Sequence, residues 1–101
     1  MSYQIIYNKE IERLRRYQII LPEFKDDGSA FPPSFLKQTI AELFKEFGGV
    51  TIETGSIVRL TCDVPDTQKN TYFFICFKET CRLRFEQKEI WLTSFLVDRI
   101  L

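Results

Sequence analysis

The chain has no histidine, and that absence closes off more chemistry than any other feature of the sequence. Without imidazole there is no Ser-His or Cys-His nucleophile pair, no histidine-ligated metal, and no side chain whose ordinary pKa lies near neutrality. Any catalysis has to run on carboxylates, Lys, Arg, Tyr or Cys. Net charge is missing too. Fourteen Lys and Arg balance fourteen Asp and Glu, so no overall field gathers a polyanion, and a nucleic-acid ligand would require the charge to be segregated onto one face. A neutral surface also does little to oppose self-association. Cysteine is sparse, at Cys62, Cys76 and Cys81; an odd count with no C-x-x-C pair suits free, buried thiols in a reducing compartment. No apolar run approaches the roughly 18 residues of a membrane span. The start "MSYQIIYNKEIERLRR" carries charges where a signal peptide needs its apolar region. The expectation is a cytoplasmic chain that does not enter a membrane, with no motif that asks for a cofactor.

What is present is a core-forming composition. Hydrophobic residues make up 45% of 101 positions, and ten of them are Phe, enough for one aromatic core in one domain. Residues 1–14 read as an N-terminal extension, in which Asn8 can cap a short helical turn carrying Ile11 and Leu14, and residues 15–101 read as the domain. "YQII" at residues 3–6 recurs at 17–20, too short for a structural repeat; it is chance or an extra edge strand. "RRYQIILPEF" alternates Tyr17, Ile19 and Leu21 onto one face and predicts a strand ended by Pro22. After the turn-forming "KDDGSAFPP", Leu36, Ile40, Leu43, Phe44 and Phe47 fall on one stripe of a 3.6-residue period, a helix closed by Gly48-Gly49. "VTIET" and "SIVRLTCDV" flank Gly55 with period-2 alternation, a hairpin whose Val58, Leu60, Cys62 and Val64 face the core while Ile57, Arg59, Thr61 and Asp63 face away.

The segment "NTYFFICFKETCRLRF" is ambiguous by propensity, since its aromatic and β-branched residues favour a strand. Asp66 or Thr67 as a cap, and the 3-4-4 spacing of Phe74, Phe77, Cys81 and Phe85, predict a helix instead. "EIWLTSFLVDRIL" then alternates Ile90, Leu92 and Leu96 against Trp91, Phe95 and Val97, a closing strand apolar on both faces. The order strand, helix, strand, strand, helix, strand is that of a ferredoxin-like βαββαβ sandwich: an α+β fold with a four-stranded antiparallel sheet, both helices on one face, and strands one and three central.

"FGGVTI", "DVPDT" and "RFEQKEIWLTS" together resemble a family of small, uncharacterised bacterial proteins of ferredoxin-like type, common in cyanobacteria. The resemblance covers roughly Arg16 to Val97, most of the chain by residue count. It implies the fold and no activity, cofactor or catalytic residue. The chain departs from that family between Val50 and Val64, where its hairpin is shorter, which implies an exposed edge.

Three constellations bear on function. Pro65-Asp66 followed by Glu86, Gln87 and Lys88 spells the PD…(D/E)-x-K pattern of metal-dependent nucleases and phosphoryl hydrolases, in which carboxylates hold Mg²⁺ and the lysine polarises water. Asp63, Asp66, Glu86 and Lys88 are its candidate residues, and they converge only if "YFFICF" is a strand. Arg13, Arg15 and Arg16, with Arg82, Arg84 and Lys88, are candidates for a basic face beside Tyr17 or Trp91 as base-stacking rings, although the Gly-aromatic signature of sheet-surface RNA binders is absent. Trp91, Phe95 and Val97 are candidates for an interface on the open sheet face or an edge strand, where ferredoxin-like sheets commonly meet a copy of themselves. The adjacent acids Asp26 and Asp27 lack the alternation of a calcium loop and read as a solvated turn. On a helix, Cys76 and Cys81 point about 140° apart and neither share a metal nor pair. The sequence therefore predicts a homodimeric interaction module without a catalytic site, with the metal-dependent hydrolase as its alternative.

Overall fold

A computed structural model describes residues 11–100. The alternation along Ile11–Pro22 forms strand β1, which places Tyr17, Ile19 and Leu21 in the core. Helix α1, Pro33–Phe47, opens with Pro33 in its first turn, where the missing N–H has no partner to lose. It ends at Gly48, whose φ of 77° is the left-handed conformation that lets its N–H reach the Phe44 carbonyl at 2.7 Å. β2 (Thr51–Thr54) and β3 (Ile57–Pro65) make the hairpin around Gly55. Helix α2, Gln68–Arg84, follows. The capping residue is Thr67, whose side chain accepts from the Asn70 N–H at 3.2 Å. β4 (Trp91–Ile100) closes the sheet.

The sheet is antiparallel in the order β2-β3-β1-β4, with β1 and β3 central as expected. This is the ferredoxin-like α+β layout. Register fixes the faces, because residues directly opposite in an antiparallel pair share a side. Tyr17 stands between Cys62 and Ser94, and Ile19 between Leu60 and Leu92, all toward the helices. Arg16 stands between Asp63 and Phe95, and Ile20 between Arg59 and Trp91, all toward the open face. Rings fill the space between sheet and helices. Phe74 stacks on Tyr17 at 4.0 Å and on Phe47 at 5.3 Å, and Phe31, Phe35 and Phe85 form a second edge-to-face group.

Four local expectations are corrected. Ile11 to Leu14 belong to β1, not to a helical turn, because β4 extends far enough to pair with them through Ile100 and Val97; Asn8 lies outside the described residues. Phe44 is 60% exposed, since α1 turns the Leu43 side of its stripe to the sheet and Phe44 sits about 100° further round. Cys76 is exposed while Cys62 and Cys81 are buried, so not every thiol is a core residue. Asp66 precedes the helix without capping it. Among the described residues no helix is long and apolar enough to cross a membrane.

Candidate functional site

The carboxylates of the hydrolase pattern are dispersed. Asp63, on the open face of β3, takes a bidentate pair from Arg16, with Nε to Oδ1 at 2.7 Å and Nη2 to Oδ2 at 2.9 Å. Asp66 receives Arg15 Nε at 2.9 Å on the helix side of the sheet. Glu86 lies beyond the far end of α2, which alone separates it from Asp66 by roughly 25 Å at 1.5 Å per residue. There its backbone has a φ of 54° and its carboxylate comes within 4.0 Å of Lys25. Lys88 is exposed in the same exit turn. The structure therefore does not bring Asp66 to Glu86 and Lys88. Among the described residues no group of three or more His, Cys, Asp or Glu side chains is placed to hold a metal ion.

The arginines do not form one basic face. Alternation sends Arg16 to the open face and Arg13 and Arg15 to the other. Each also meets an acid: Asp98 at 3.3 Å for Arg13, and Asp66 and Asp63 for the other two. Arg82 pairs with Glu79 on its own helix at 2.6 Å. A hydrogen bond to Asp63 and its charge hold the Arg16 guanidinium pKa above its usual value. The Arg16 guanidinium also lies 5.7 Å from the centre of the Phe95 ring.

Arg84 shows what the sequence reading missed. Its side chain is only 12% exposed and bridges the two helices. Nη1 donates to Thr39 Oγ1 and to Glu42 Oε1, both at 2.7 Å, and Nη2 to Glu42 Oε2 at 3.1 Å. Thr39 is wholly buried, and its hydroxyl donates onward to the Phe35 carbonyl at 2.7 Å. The available signal was Thr39 and Glu42, three apart on α1 beside the apolar stripe.

The thiols divide by environment. Burial pushes Cys62 up to about 11 and Cys81 up to about 12, so both stay protonated at neutral pH and are inert nucleophiles. Cys76 lies on the outer side of α2. The neighbouring Cys76 thiol raises the Tyr72 pKa above its ordinary value. A thiol-exchange reagent at pH 8 is expected to modify Cys76 rapidly in the folded protein and to reach Cys62 and Cys81 only in guanidinium; three fast-reacting thiols would contradict the burial.

Trp91, Phe95 and Val97 do share one face, as register requires. Trp91 is 69% exposed and Phe95 46% exposed, with Ile20 opposite Trp91 and Leu14 opposite Val97. Toward β3 and β2 the same face turns polar, with Gln18, Thr61, Asp63, Thr51 and Glu53 around a cavity of about 540 Å³. The open face is thus half apolar, along β4, and half charged. Comparison of the chain with known protein families, with curated proteins and with solved structures finds no match in any of the three.

Proposed function

We propose that the chain is a homo-oligomeric interaction module of the bacterial cytoplasm rather than an enzyme. The observation that carries this is the exposure of Trp91 and Phe95 on the open face of the sheet, with the half-buried Val97 in line with them. Trp91 and Phe95 flank Thr93 on this face; exposed apolar patches mark association surfaces, and aromatic residues dominate the energetics of such contacts. The charge balance supports a second copy over a polyanion. The hydrolase alternative lacks its constellation, because Asp66 and Glu86 stand at opposite ends of α2.

Trp91 is the single tryptophan and so a built-in probe. Its emission is expected to move to shorter wavelength as protein concentration rises, in step with a doubling of mass in light scattering. Emission that stays red at every concentration, with a monomer mass, would overturn the reading. Cleavage of DNA or RNA that requires Mg²⁺ and is lost in Asp66→Ala would favour the hydrolase.

A further inference from the structure

The reading above says that the chain associates with itself; resting on it, the geometry points to where. β4 sits at the edge of the sheet, yet its sequence is that of a strand buried on both faces. Trp91 and Phe95 face the open side, while Leu92 and Leu96 face the helix side, where Leu96 is still 48% exposed. Natural edges are blunted by shortness, Pro, Lys or a bulge. β4 is not short and has no Pro, Lys or bulge: its ten residues pair with β1 in unbroken register from Ile11–Ile100 to Ile20–Trp91, and its only charges, Asp98 and Arg99, stand at one end. The other edge, β2, is four residues long and carries Glu53. One edge is thus protected and the other prepared for a neighbour.

We propose that β4 pairs antiparallel with β4 of a second copy, across a two-fold axis perpendicular to the sheet, so that the two four-stranded sheets become one. The alternative, packing the two open faces together, would strip water from the Arg16–Asp63 and Arg59–Glu53 ion pairs, which costs several kcal/mol per ion. Edge pairing leaves both pairs wet. A register centred on Phe95 sets Thr93 against Val97 and Leu92 against Asp98 of the copy, so no two like charges meet. It also covers the outer sides of Trp91, Phe95 and Leu96. About ten residues per copy is fewer than the roughly 20–30 of a standard interface, so the pairing is a weak, concentration-dependent one.

The test is sedimentation of the full chain from about 1 µM to about 1 mM, beside Phe95→Glu and Leu96→Glu. Each new carboxylate faces an arginine of its own chain, Arg16 or Arg15, so the monomer keeps its fold, as an unchanged thermal melt would confirm. Edge pairing predicts that both variants weaken the dimer at least tenfold, because both faces of β4 approach the axis. A dimer weakened by Phe95→Glu but unchanged by Leu96→Glu packs face to face, which overturns the edge proposal and leaves the association reading standing. Hydrogen exchange on the unmodified protein decides independently of either variant. β4 amides that gain protection as the dimer forms support the pairing. Protected β4 amides in a chain that stays monomeric mean that another segment of the same chain covers the edge. An exchanging edge in a monomer overturns the association itself.

Discussion

Phe74→Ala is expected to destabilise the fold by about 3–5 kcal/mol, a large part of the roughly 5–15 kcal/mol that holds a domain of this size. The ring is buried and nearly parallel to Tyr17 on one side and Phe47 on the other, at interplanar angles of 8° and 4°, so one side chain links β1, α2 and α1. Phe73 and Phe77 close on its edges. Alanine removes the transfer free energy of the ring and leaves a cavity that planar neighbours cannot fill by small rotations. Urea unfolding should show the midpoint falling with an unchanged slope. Phe44→Ala, at an exposed position of α1, is the control and should cost less than about 0.5 kcal/mol. Equal losses in the two variants would mean that the ring stack is not what joins the layers.

Arg84→Ala carries the second-largest expected effect, about 2 kcal/mol. The substitution takes a partner from the buried Thr39 hydroxyl and leaves Glu42, at 38% side-chain exposure, without its bidentate cation. Partial access to water moderates the loss on the Glu42 side. Arg84→Lys should recover only part of it, since an ammonium cannot reproduce the planar fork that reaches Thr39 and both Glu42 oxygens together. Chemical denaturation of the two variants measures this. If lysine restored full stability, the geometry of the bridge would be irrelevant and charge alone would suffice.

Elements whose faces are set locally were legible in the sequence. The 3-4-4 spacing of Phe74, Phe77, Cys81 and Phe85 identified α2 against its own strand propensity, and all four residues are buried. Gly48 marked the end of α1, and the alternation around Gly55 gave the hairpin. What could not be read depends on partners distant in the chain. "IERLRR" is compatible with a helical stripe through Ile11 and Leu14, and only the length of β4 makes it a strand. Cys76 was misplaced because the outer side of α2 carries apolar residues of its own, Tyr72, Ile75 and Leu83, so a small apolar side chain there is not thereby buried. The pairing of Arg15 with Asp66 and Arg16 with Asp63 follows from the register of β1 on β3, and a slip of one residue would have exchanged the faces. That Trp91, Phe95 and Val97 share one face was legible because they alternate along a single strand, and the basic face was not, because alternation splits Arg15 from Arg16.

The place of β1 in the sheet has a consequence for how the chain is made. Synthesis produces this strand before either of its neighbours: Tyr17 waits for Cys62 on one flank and for Ser94 on the other. The β2–β3 hairpin and the two helices can form from local contacts while the chain is still emerging, whereas the sheet cannot close around β1 until β4, the last element, is released. During that interval β1 has β3 for one flank only, and the flank that will take β4 stays without a partner.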